Sequence, residues 1–141
     1  MSRKDRLAAV LGVRERIEKQ RQAEQATAQR DREHASAALA AALAQRAAQQ
    51  LYVGHRLATE ELFAHRVGLV ALGESVEHAA GHHAATEQAV ERAGARLVEA
   101  AVDRRSVERL RERRLADERA AEARRQQRRD DEVALQIWRR R

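Results

Sequence analysis

Cysteine and proline are both missing from the 141 residues, and Phe, Tyr and Trp occur once each. Without cysteine there is neither a disulfide framework nor a thiolate metal site, which fits a reducing compartment such as the cytoplasm. Without proline, the six glycines at 12, 54, 68, 73, 81 and 94 are the only helix breakers. Long apolar runs are missing too. The N-terminal patch LAAVLGV, Leu7 to Val13, runs straight into Arg14 and Glu15, has no small-residue cleavage site and is far too short to cross a bilayer. Neither a signal peptide nor a membrane span is expected. Bulky side chains are scarce as well: 31 of the apolar residues are Ala, and only 30 are larger. So few cannot fill a globular core, although they can line a seam between helices.

What is abundant is Ala, Glu, Arg and Leu, the residues long helices favour. The charge of +6 is localised, because Arg104 to Arg141 carries 14 Arg against 8 acids and the preceding residues sum to zero. An anionic partner is therefore expected to meet the C-terminal quarter. Gly54 is the best-placed breaker, since Thr59 follows as a helix N-cap with Glu60 and Glu61 in the first turn. The expected fold is all-α, an elongated antiparallel two-helix coiled-coil hairpin in one domain. Helix one would run over about 3–53, the turn over about 54–59 and helix two over about 60–139. In such a hairpin the numbers of residues at one level sum to nearly a constant, here about 113. That places Leu7 level with Val107, Val10 with Val102, Val13 with Val98, Leu43 with Val70 and Leu51 with Leu62. A turn near 71 would instead lay Leu7 to Ile17 against the charged stretch Gln126 to Leu135. The polar run Glu18 to His34 faces Ala79 to Ala95, where only Val90 is bulky, so this stretch is expected to open more readily than Leu43 to Tyr52.

The two helices are unequal, and residues beyond about 113 are left without an intramolecular partner. Arg124 with Arg128 and Arg125 with Arg129 stack like charges one turn apart, softened by pairs such as Arg113 with Asp117 and Arg128 with Glu132. Val133 and Ile137 at i, i+4, with Leu135 and Trp138 at i, i+3, add an apolar patch that nothing in a hairpin would cover. Trp138, beside three terminal arginines, is the natural anchor for a partner groove.

Three segments carry a family likeness: RLAAVLGVRER at Arg6 to Arg16, VERLRERR at Val107 to Arg114, and RRDDEVA at Arg128 to Ala134 with its Asp131–Glu132 pair. On these the chain resembles the FliJ family, the small coiled-coil component of the bacterial flagellar type III export apparatus. The resemblance implies a non-enzymatic stalk, similar to the central coiled coil of rotary ATPases. Its terminal end would enter the export ATPase ring, and its tip would face the membrane-embedded export gate. Export chaperones are a further expected partner class, and the protein would lie in the cytoplasm, reaching the inner face of the cell membrane through its partners to serve flagellum assembly and motility. Residues expected to bind partners are Arg124, Arg125, Arg128, Arg129, Asp131, Glu132, Leu135, Ile137 and Trp138, with Tyr52 and Phe63 near the tip. The chain departs from the family pattern in its wealth of Ala and Arg and in having only those two aromatics near the tip.

Other chemistries have less support. His78 and His82 share a helix face at metal-ligating spacing, with His83 adjacent, but no carboxylate completes a set, so neither metal nor cofactor is expected. Gly-rich phosphate loops, nucleophile elbows and acid–base pairs are missing, so no enzymatic activity is expected. The alternative from another class is a basic coiled-coil protein that binds nucleic acid through its arginines. Against it, Asp130, Asp131 and Glu132 interrupt the basic run and stacking aromatics are lacking. Membrane-surface binding by the last turn would bury too little apolar area.

Overall fold

The computed structural model describes residues 3–51 and 58–140, with side chains described from residue 6. Every described residue except Ala58 and Arg140 is α-helical: α1 spans Arg3–Leu51 and α2 spans Thr59–Arg139. The two helices pack against each other as a hairpin. Their antiparallel sense follows from contacts in which one residue number falls as the other rises, from Arg14 with Asp103 to Gln49 with His65. Tyr52, Gly54 and His55, the expected turn, lie outside the described residues.

α2 does not begin as its sequence predicts. Ala58, and not Thr59, holds the cap position, since its carbonyl accepts the first helical bond from the Leu62 amide at 2.9 Å. Glu61 reaches back to accept the Ala58 amide at 2.9 Å, so the acidic half of a capping box holds this end together. Glu60 and Glu61 also place negative charge where the helix dipole favours it.

Burial follows a heptad rule. On α2 the covered or half-covered positions include 65, 69, 72, 76, 79, 83, 86, 90, 93, 97, 100, 104 and 107, an alternation of four and three. On α1 the matching positions are 7, 11, 14, 18, 21, 25, 28, 35, 39, 42 and 49, while Arg32 and Arg46, at the two remaining positions of the series, stay exposed. This is the repeat of a coiled coil, whose seam turns toward the partner every 3.5 residues on average. The seam is thin. Its fully covered members are Leu11, Ala35, Ala42, Ala93 and Ala100, with polar His65 and Thr86.

By Cα packing the chain divides into two units, one of residues 1–18 with 100–141 and one of 19–99. In the first, Arg14 donates to Asp103 at 2.8 Å, and Arg104 bonds to Glu18 across the seam and to Glu108 on its own helix at 2.8 Å. Hydrogen bonding to Glu18, then its charge, raises the Arg104 guanidinium above its ordinary value, so it stays cationic at any pH a protein tolerates. In the second unit, Gln49 Nε2 lies 3.0 Å from His65 Nδ1. Arg21 bonds Glu24 at 2.7 Å and lowers its carboxyl below the usual value. A depressed carboxyl contributes stability above its unfolded pKa and loses it as pH falls through the folded one, so this brace weakens only in acid.

The expected levels are close, and Leu7 and Val107 are half-covered on the seam as expected, but most of the other expected faces are wrong. Contacting residue numbers add to 114 at Gln49–His65, 117 at Arg14–Asp103 and 122 at Glu18–Arg104. Helical side chains lean toward their own N-terminus, so long ones in an antiparallel pair meet at sums above the level value. Yet Val10, Val13, Leu43, Val70, Val98 and Val102, assigned above to facing pairs, are all exposed, and Leu51 is 85% exposed. They lie beside the seam, where Ala and polar residues stand instead. Close approach does not explain the glycines: a Cβ at Gly94 would meet Gln25 Nε2 at an ordinary 3.6 Å, and one at Gly81 would meet nothing within 4 Å. Nor is Leu43 to Leu51 better covered than Glu18 to His34, which removes the basis for a difference in opening between them.

Because Leu11 is the bulkiest covered residue of the seam, Leu11→Ala is expected to cost about 2 kcal/mol, the low end for a Leu truncation, since only one neighbouring helix covers it. Val10→Ala and Val13→Ala should stay within about 0.5 kcal/mol. Denaturant midpoints of the three variants check the order, and equal losses at Val10 and Leu11 would reject the seam described here.

Candidate docking surfaces

The last five turns of α2 have no intramolecular cover. From Glu122 to Arg140 every residue is exposed, and between Leu110 and Arg140 only Leu115 and Ala121 are even half-covered. A regular helix turns about 100° per residue. On that wheel Arg124, Arg128, Arg139, Arg125, Arg129 and Arg140 fall within one arc of roughly 160°. Among these arginines Arg125 lies 3.6 Å from Glu122. The expected pairs Arg113–Asp117 and Arg128–Glu132 do not form. Asp130 accepts instead from Gln126 Nε2 at 3.0 Å.

Val133, Ile137 and Trp138 occupy the other side of the wheel, and Trp138 is 74% exposed. Leu135 lies about 160° from Ile137, at the edge of the arginine arc, but only about 60° from Trp138. Asp131 borders the Trp138 side and Glu132 lies within the basic arc, so the segment has two unlike faces, one apolar and one basic. Arg139 in the last turn also complements the negative end of the helix dipole, which accounts in part for the terminal arginines.

A second surface lies near the start of α2. Phe63, Val67 and Val70, at i, i+4 and i+7, form an outward stripe and are 71%, 53% and 59% exposed. With Arg66, Ala71 and Glu74 they line a shallow groove on the side of α2 away from its seam positions. The sequence reading named Phe63 but missed the valines. Period 3.5 would have found them, because 63, 67 and 70 repeat the seam spacing while sitting two residues out of phase with it. Tyr52 lies outside the described residues.

The histidines do not gather. His78 and His82 are exposed, while His83 turns toward the seam with Nε2 4.0 Å from Glu87. Among the described residues no three His, Asp or Glu side chains converge as metal ligands. No described helix is long and apolar enough to cross a membrane.

A hairpin with a long uncovered basic C-terminal segment narrows the field, and comparison with known families decides the matter. The family model described as flagellar FliJ protein matches residues 3–141. The chain belongs to the FliJ family. No curated protein and no solved structure matches it. As a FliJ-family protein it is a coiled-coil component related to flagellar export, and the match covers both the seam and the uncovered C-terminal segment.

Proposed function

We propose that this FliJ-family chain is a non-enzymatic stalk of the flagellar type III export apparatus, holding the export ATPase ring through the free end of α2 and meeting the export gate through the start of α2. The observation that carries the first contact is the unbroken exposure of residues 122–140, a regular helix displaying Trp138, Ile137 and Val133 with nothing in its own chain to cover them. Aromatic and arginine side chains are the usual anchors of protein interfaces. The second contact is supported by the Phe63, Val67 and Val70 stripe, an apolar groove edged by Arg66 and Glu74. On this reading the protein works in the cytoplasm and reaches the inner face of the membrane through its partners, export chaperones among them. ATP hydrolysis belongs to the ring.

Acids amid the arginines weigh against phosphate polymers as the partner. Asp130 also sits within the apolar arc, where a lipid surface would have to bury it. A pull-down with the purified export ATPase and with the cytoplasmic part of the export gate tests the two contacts separately. Phe63→Ala is expected to weaken gate binding by about 2 kcal/mol and to leave ATPase binding unchanged. Equal loss of both, or of neither, would reject the assignment of the stripe.

A further inference from the structure

The seam of the first unit holds apolar and ionic groups side by side. Leu11, Ala100 and Val107 supply the apolar part, and Arg14–Asp103 with Glu18–Arg104–Glu108 supplies the ionic part. A heptad seam repeats itself every seven residues, so α1 has competing settings one heptad either way along α2. The apolar residues oppose only one of these settings, the shift away from the start of α2, which would replace Val107 by Arg114. A shift toward the start of α2 replaces Val107 by Ala100 and Ala100 by Ala93, and the seam stays small and apolar.

The charged residues do distinguish them. The same shift sets Glu18 against Leu97 in place of Arg104, and Arg14 against Arg96 in place of Asp103. The opposite shift offers Glu18 a new arginine, Arg111, but there Leu115 stands where Glu108 braces Arg104, and Arg14 meets Leu110. Only the observed setting satisfies all five groups. Glu18 and Arg104 are also among the better covered charges of the protein, with side chains 17% and 24% exposed, so a mismatch there is poorly relieved by water.

We infer that Arg14, Glu18, Asp103, Arg104 and Glu108 form a register lock: the ionic set, more than the apolar seam, fixes where α1 stops along α2 and hence how much of α2 is left uncovered. One heptad of slip displaces the helices by about 10 Å and changes the free segment by seven residues, about two turns. These are positioning residues. Through the register they determine how far Trp138 projects beyond the paired helices.

The test places spin labels at Val13 and Leu110, both exposed and off the lock, and reads the inter-label distance in the full chain. The unaltered lock should give one narrow distance. Arg14→Asp combined with Arg104→Glu sets like charges together at both points and should add a second population displaced along the axis by about 10 Å. Exchanging all the partners, with Arg14→Asp, Asp103→Arg, Glu18→Arg, Arg104→Glu and Glu108→Arg in one chain, should restore a single narrow distance at the original value. Circular dichroism of each variant separates a slipped hairpin from an unfolded one. An unchanged distance in the repelling variant overturns the lock, as does loss of helicity without any displaced population. Failure of the exchanged chain to recover the original distance overturns it as well.

Discussion

A chain cut after Arg113 is expected to keep its hairpin and lose its hold on the export ATPase. The first half of this expectation rests on coverage. Beyond Arg113 only Leu115 and Ala121 are half-covered, and the ion pairs Arg14–Asp103 and Glu18–Arg104 between the helices lie at or before Arg104. Removing the segment therefore takes away helix but almost none of the seam, and the midpoint of thermal unfolding should move by only a degree or two, while the total helical signal falls with the residues deleted. The second half rests on exposure, since the deleted segment carries Trp138, Ile137 and Val133 together with the six-arginine arc. Affinity for the ATPase should drop by more than about 1,000-fold, roughly 4 kcal/mol. Isothermal titration of both chains against the purified ATPase measures it. Undiminished binding by the shortened chain would move the docking surface to the seam region or to the Phe63 stripe, and dominant DNA binding by the full chain at physiological salt would favour phosphate recognition instead.

The hairpin was legible because its causes are local and repetitive. Ala, Glu, Arg and Leu without proline make long helices almost unavoidable, and a helix rich in Ala but poor in bulky residues has only another helix to bury against. The unequal lengths, and with them the free end, are those expected from a break well before the middle of the chain. What the sequence concealed was the face. The valines at 10, 13, 98 and 102 look like a core, and the level-matching sum brings them together, but the sum is blind to rotation about each helix axis. Only the alternation of three and four decides which side is covered, and here it runs through Arg14, Glu18, Arg104 and His65, residues a hydrophobic reading passes over. At the free end Leu135 lies beside Trp138 at i, i+3, while Ile137, two residues from Leu135, is nearly opposite it, so the apolar residues spread around the helix.

Trp138 is expected to report docking without any label, because it is the single indole of the chain and 74% of its surface is open. In the free protein its emission should be that of a water-exposed group, insensitive to salt and readily quenched by iodide, which the neighbouring arginines attract. On addition of the export ATPase the emission should shift to the blue and the quenching should fall, as Val133, Ile137 and Trp138 leave water together. Trp138→Ala should then weaken the complex by about 2 kcal/mol, the threshold of an interface hot spot. The arginine arc contributes differently. Replacing Arg124, Arg128 and Arg129 with glutamine removes charge from the opposite face and should mainly slow association and flatten its dependence on salt, with a smaller effect on dissociation. The two outcomes are separable by surface plasmon resonance, which needs no indole, since the Trp138 variant changes the off-rate and the arginine variant the on-rate. Unchanged emission on complex formation, together with a Trp138→Ala variant that binds normally, would show that the apolar face of the free end stays in water. Docking would then belong to the arginine face and to Leu135, the one bulky apolar residue that stands among the arginines.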